Sequence, residues 1–360
     1  MLRILEASLR VKRTRRIAKC AARAECGPSA SFGAGSSTSW RFALRIGHSA
    51  QSDNGSEFLG CYTQCVRQLI VNADDLGLTR GVNRAIAETH HEGVVTSATL
   101  MAVGTAFDDA VAVAKAAPAL AVGCHVVLVD GAPLSDPDSI PTMIASRAAE
   151  PGRFFTKISS VAARAMLGGF DEDELLGEIV AQIRKIQAAG IQVTHVDTHK
   201  HTHLFPAILK AVVKAARICG VRAIRNPFVP GSALRLRQFA GQPELWKRYG
   251  QVRVLRTLAG RFRQRMRRAG LSTPDGIVGV IETGSVADSL LRRALQNLPD
   301  GTWELVCHPG YDDADLRRAK TRLLESREAE RRLLASPEFR EFLKAQQIRL
   351  VSYRELAGAG

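Results

Sequence analysis

From residue 66 onward, short runs of consecutive apolar residues alternate with segments whose apolar positions recur every three or four residues. The runs are QLIVN (68–72), VVTSATLM (94–101), AVGCHVVL (121–128), VTHVD (193–197), VRAIR (221–225), IVGVI (277–281), WELVCH (303–308) and IRLVS (348–352). They are β-branched and nearly continuous, as strands covered on both faces are. The helical periods predict helices over 80–92, 106–117, 171–189, 205–219, 284–298 and 315–335. In the third, Leu175, Ile179, Ile183 and Ile186 form one apolar stripe, with Asp171 as N-cap and Gly190 as stop. Strands alternating with helices predict an α/β fold, a distorted parallel (β/α) barrel of the TIM-barrel kind.

Such a barrel places its chemistry at the C-terminal ends of the strands. The polar residues that interrupt the apolar runs fall there. The first run leads into Asn72-Ala73-Asp74-Asp75, the third carries His125, the fourth ends in Asp197-Thr198-His199, and the seventh ends in His308-Pro309-Gly310. A carboxylate with two neutral imidazoles suits zinc or a similar divalent ion, and Asp75, His125 and His199 supply that set. Asp74 is then free to act as a general base on metal-activated water, and His308 to protonate a leaving amine. Taken singly, each residue has a plainer explanation. Asp74-Asp75 reads equally as a polar turn before Gly77, His125 as a core histidine, and His308-Pro309-Gly310 as a turn. Their joint placement at strand exits favours a site. The stretch THVDTHKHTHLFP (194–206) adds His201 and His203, which strict alternation in an extended chain would point to the same side as His199. His90-His91 reads as a polar helix end.

Composition refines this picture in two places. The net charge is +15, yet residues 1–65 carry ten Lys/Arg against four Asp/Glu and residues 222–268 thirteen against one, so the rest of the chain is slightly acidic. Residues 1–65 are basic, then Gly/Ser-rich, with no sustained apolar period, and are expected to stay disordered. The alternative is that the core begins natively at Val66, a valine codon serving as the start. No apolar stretch reaches the ~20 residues of a membrane-spanning helix. The seven cysteines contain one close pair, Cys61-x-x-x-Cys65, and no framework, which fits a reducing compartment and a cytoplasmic location.

At these residues the sequence resembles a known family. NADDLGLTRGVNRAI, GVVTSATLM, VGCHVVL, THVDTHKHTHLFP and ELVCHPGYDD, in this order, are similar to the YdjC-type carbohydrate deacetylases, which include the chitooligosaccharide deacetylases. The likeness runs from about Leu69 to Leu356, so residues 66–360 form the expected deacetylase domain. It implies metal-dependent N-deacetylation of an amino sugar, with Asp74 as base, His308 as acid, and Asp75, His125 and His199 on a divalent ion. The family is often assigned magnesium, whereas two imidazoles favour zinc. His201, His203, Arg225 and Glu282 are expected to line the substrate pocket. LVDGAPLSDPDSIPTM, RAIRNPFVPGSALR and TPDGIVGVIETGS resemble the hopanoid-associated (HpnK-like) branch, which implies an N-acetylglucosaminyl hopanoid as substrate. Leu76 departs from a position where the family often has Phe, and the extension 1–65 is outside its pattern.

A basic helical insertion is expected around 232–270. Within it, LWKRYGQVRVLRTLAGRFRQRMRR (245–268) sets apolar positions at helical spacing among arginines. Such a helix suits the anionic inner face of a membrane, where a lipid-linked substrate resides. An ordinary solvated helix packed on the barrel explains it equally. The alternatives are a deacetylase of soluble chitooligosaccharides, a basic nucleic-acid-binding protein, or a carbohydrate-binding relative without catalysis. The sequence shows no nucleic-acid-binding motif, and all the residue types for catalysis are present.

Overall fold

The computed structural model describes residues 67–145, 151–230, 250, 256–279, 288–319 and 321–358. Residues 1–66, with the extension and the alternative start at Val66, lie outside these. So do Glu282 and most of 231–255 of the basic segment.

The eight expected strands all form: β1 (Arg67–Leu76), β2 (Ser97–Leu100), β3 (Ala121–Val126), β4 (His195–Thr198), β5 (Ala223–Ile224), β6 (Gly276–Val278), β7 (Gly301–Cys307) and β8 (Ile348–Val351). Every pairing is parallel, in the order β5-β4-β3-β2-β1-β7-β6, with β8 beside β1. One edge of β1 pairs with β7 from Arg67 to Ala73. The other edge is shared, β8 taking Arg67–Ile70 and β2 taking the part beyond Asn72. The outer strands β5 and β6 approach through Ile224 N–H to the Ser272 carbonyl (3.0 Å) and Ile277 N–H to the Phe228 carbonyl (2.9 Å). The sheet therefore curls into the distorted barrel that the strand-helix alternation predicts.

The helices are α1 (Arg80–His91), α2 (Phe107–Ala116), α3 (Ile158–Leu167), α4 (Glu172–Ala188), α5 (Pro206–Ile218), α6 (Ala259–Ala269), α7 (Asp288–Gln296), α8 (Ala314–Arg318), α9 (Glu325–Ala335), α10 (Pro337–Ala345) and α11 (Tyr353–Gly358). Asp171 caps α4 as expected, its carboxylate accepting the N–H groups of Asp173 and Glu174. The helix expected over 315–335 is instead two, α8 and α9. Between them the Thr321 hydroxyl takes the Leu323 N–H (3.2 Å), a local bond that competes with helix continuation. Among the described residues, no helix is long and apolar enough to cross a membrane.

Alternation along the strands sorts side chains into two compartments. Leu69, Val71, Val122, Cys124, Val196 and Leu305 point outward into the apolar layer shared with the helices. Inward residues stack in three layers. At the bottom, Ile70, Ala121, Ala223, Val351 and Tyr353 form an apolar floor. Above it lie Asn72, Gly123, His195, Arg225 and Glu304, and above those Asp74, Thr99, His125 and Asp197. A side chain at Gly123 would place its Cβ 2.5–2.7 Å from the His195 ring, so only glycine fits opposite that imidazole. His195 in turn stacks on Tyr353, ring centres 3.6 Å apart. The floor is sealed, and chemistry faces only the C-terminal mouth.

Candidate active site

The mouth is organised by an irregularity in β1. Its pairing with β2 runs Asn72 to Ser97 and Ala73 to Ala98, then resumes at Leu76 to Leu100. Three steps on β1 match two on β2, so one extra residue sits at Asp74-Asp75. Asp75 takes a left-handed backbone, φ 68°. A regular strand would send adjacent side chains to opposite faces; a bulge re-aims one of them. Both carboxylates thereby reach the mouth, and they diverge there.

Asp75 Oδ1 lies 3.4 Å from His125 Nε2 and 3.5 Å from His199 Nδ1, and those two nitrogens are 3.3 Å apart. Tetrahedral ligands about 2.0–2.1 Å from a zinc ion lie roughly 3.3–3.4 Å from one another, so the three atoms are spaced as one face of such a site. Asp75 Oδ1 is buried and has no hydrogen-bond partner, a costly state for a carboxylate oxygen unless a cation meets it. Its other oxygen is taken by Arg327. His125 Nδ1 meets Asp197 Oδ1 at 2.8 Å. A carboxylate only accepts, so Nδ1 carries a hydrogen and Nε2 is the nitrogen that would offer a lone pair to a cation displacing its proton. Burial pulls the His125 imidazole down, yet Asp197, Asp74 and Asp75 together push it up to about 9. The same negative field that holds a proton on Nε2 would hold a divalent cation. The donor set thus fits a metal ion. A second trio, Asp74, His125 and Asp197, is also compact, but its oxygens are engaged by Arg225 and by His125 Nδ1.

Asp74 is anchored differently. Arg225 grips it with two bonds, Nη1 to Oδ2 at 2.8 Å and Nη2 to Oδ1 at 2.6 Å. Oδ1 also accepts from Asn72 Nδ2 at 3.0 Å. Burial raises its carboxyl, but Arg225 above all holds it well below the usual carboxylate range. His308 Nε2 stands 3.8 Å from Asp74 Oδ2 across the mouth. The Glu330 carboxylate accepts the His308 backbone N–H.

The remaining expected residues divide. Arg225 was expected to line the pocket; it is fully buried below Asp74 and paired with Asp74, Asp197 and Glu304. The 199–204 stretch is not extended: it is a 3₁₀ turn with Lys200 and His201 in the left-handed region. The three histidines therefore do not share one side. His203 is buried, its Nδ1 2.7 Å from the Thr198 hydroxyl. His201 stays near the mouth, where burial and then Arg225 press its imidazole down to about 3, so it is neutral, with Nδ1 unpartnered. Lys200 leaves the turn to pair with Asp130 at 2.6 Å, tying the loops after β3 and β4 together at the rim. Sequence reasoning missed Asp197 as the partner of His125, although its place two residues before His199 was a signal. It also missed Glu304, Arg327 and Glu330, for which no local pattern exists.

The family model for YdjC-like proteins matches residues 68–345. A carbohydrate deacetylase of Brevibacillus brevis is 30% identical over 290 residues, covering 80% of this chain and 99% of the relative. A carbohydrate deacetylase of Geobacillus stearothermophilus is 30% identical over 295 residues, covering 80% and 98%. Among solved structures, a putative cellobiose-phosphate cleavage protein of Enterococcus faecalis has the same fold, with TM-score 0.60 at 24% identity over 81% of this chain and 99% of its own.

Proposed function

The chain belongs to the YdjC-like family, and from that premise we propose that it is a carbohydrate N-deacetylase, a hydrolase that splits the amide bond of an N-acetylated amino sugar. The observation that carries this reading is the unpartnered Asp75 Oδ1 held between His125 and His199, with a separately anchored carboxylate, Asp74, beside it.

Asp75, His125 and His199 would hold one divalent ion, zinc suiting two imidazoles better than magnesium. When bound, such an ion polarises the acetyl carbonyl and lowers the pKa of water. Asp74 takes the proton of the attacking water. Its low affinity for protons keeps it ionised, and Arg225 fixes its direction. Oδ2 is its acting oxygen, because Oδ1 is already saturated by Arg225 and Asn72. The water oxygen bonds to the acetyl carbon, and the bond from that carbon to nitrogen breaks. His308 Nε2, facing Asp74 across the mouth, gives a proton to the departing nitrogen. The products are acetate and a free amino sugar. His201, neutral and beside the mouth, is placed to line the path of the sugar. His203 supports the turn that carries His199 and His201.

The finer reading is that the sugar is the N-acetylglucosaminyl headgroup of a hopanoid, met at the inner face of the membrane. It is supported by the branch resemblance of the 128–143, 222–235 and 273–285 segments and by the surface of α6. There Phe262 and Met266 are buried, Phe262 packing on Phe228 with ring centres 5.6 Å apart, while Arg261, Arg263, Arg267 and Arg268 are exposed. The apolar face is thus spent on the barrel, and a membrane contact through α6 is electrostatic rather than inserted. Binding to anionic vesicles should weaken steeply with salt, and neutral vesicles should not bind; equal binding to both would reject the contact.

The test of the function is acetate release by metal-stripped and metal-reloaded protein. N-acetylglucosaminyl hopanoid and di-N-acetylchitobiose are offered separately. Release from the lipid only after reloading supports the full reading. Release from the chitooligosaccharide alone keeps the reaction and changes the substrate. Release from neither rejects the function.

A further inference from the structure

Arg327 stands out because nothing near it in sequence explains it. It lies in α9, 252 positions from Asp75, and is almost fully buried, 1% exposed. Its Nη2 donates to Asp75 Oδ2 and its Nε donates to the Leu323 carbonyl at 3.2 Å. Its backbone carbonyl accepts the Gly310 N–H at 3.2 Å. A Cβ at Gly310 would stand 3.0 Å from Arg327 Cδ and 3.2 Å from its Cβ, so the glycine gives the arginine stem its passage. Three residues on, Glu330 holds the backbone N–H of His308. One face of α9 therefore touches both the carboxylate that faces His125 and His199 and the loop that carries His308.

A carboxylate can meet a metal ion through one oxygen or two. Here Oδ1 is bare and Oδ2 is occupied by a guanidinium. We propose that Arg327 is a positioning residue that confines Asp75 to one-oxygen ligation and so reserves a coordination position for the reactants. The inference rests on the metal reading given above. Without Arg327, the freed Oδ2 can turn toward the same ion and fill that position. Metal would still bind, yet the site would be more crowded and slower. The Arg327 stem also supports Gly310, so the same residue sets the distance between the metal ligand and His308.

The test uses the full chain loaded with cobalt(II), whose visible absorption weakens as coordination number rises. Arg327→Met should retain cobalt and show clearly weaker absorption. Its kcat should fall about 10–100-fold, the usual effect of losing an outer partner of a metal ligand, with KM little changed. Arg327→Lys keeps a charge and a donor, and should recover part of both the absorption and kcat. A folded Arg327→Met protein with the wild-type cobalt spectrum overturns the role. If the Met variant does not fold, the Lys variant decides: absorption weaker than wild-type supports the role, and an unchanged spectrum overturns it. Failure of the wild-type chain to bind cobalt, or cobalt binding untouched by His199→Ala, overturns the metal reading and this inference with it.

Discussion

At Asp75 a single left-handed residue turns two adjacent carboxylates toward one mouth and gives them different neighbours. Asp75 has a bare oxygen among imidazoles, while Asp74 has a guanidinium on both oxygens. The ligand role predicts that His199→Ala weakens zinc affinity beyond the about 10–100-fold typical of outer-shell substitutions, measured by competition with a chelator. Below them, Arg225 meets three carboxylates with a single charge, and the one it neutralises least is the one that keeps its proton. Glu304 is that residue: burial, opposed by Arg225 and the Tyr353 hydroxyl, pushes its carboxyl up to about 7 from 4.5. The folded state then holds this proton more tightly than the unfolded state. Its stabilising contribution is complete below pH 4.5 and is lost as pH rises through 7. Glu304→Gln should therefore flatten the fall in denaturation midpoint between pH 5 and 7.5; an unchanged slope would place the ionisation elsewhere. Removing the charge that Arg225 supplies is harsher, and Arg225→Met should cost about 3–5 kcal/mol in chemical denaturation because it strands buried carboxylates.

At the scale of elements, periodicity located all eight strands and five of the helices closely, because each is a run with one dominant burial pattern. The failures have physical causes. Thr321 offers the backbone a competing bond and divides the helix expected over 315–335. Helix α10 begins at a Ser336 cap directly after α9, and no polar linker marks it as separate. Alternation misread 199–204 because two non-glycine residues adopt left-handed angles there, which pattern alone does not signal. Of the two readings of the basic helix, α6 shows the packed one, with Phe262 and Met266 facing the barrel. Phe262→Ala should cost about 3–5 kcal/mol of stability, the usual range for a buried phenylalanine. Replacing Arg261, Arg263, Arg267 and Arg268 by glutamine should leave stability nearly unchanged and abolish vesicle binding.

For the whole molecule, the barrel was legible because strand-exit chemistry and strand order reinforce each other. Asp74, Asp75, His125, His199 and His308 lie in or just after β1, β3, β4 and β7, and the curl of the sheet gathers them. What sequence could not display is the supporting layer, Arg225 with Glu304 and Tyr353 inside and Arg327 with Glu330 outside. Those contacts join positions as far apart as Asp75 and Arg327, and no spacing rule connects them. We propose that two neighbouring carboxylates divide the labour, Asp75 holding a metal and Asp74 moving a proton. The most direct test compares wild-type and Asp74→Asn proteins for bound zinc and for acetate released from an N-acetylglucosaminyl substrate. Zinc should be equal in both, and the rate lower by about 10²–10⁴ in the variant. A variant that keeps the wild-type rate, or that loses its zinc along with its activity, would contradict the division.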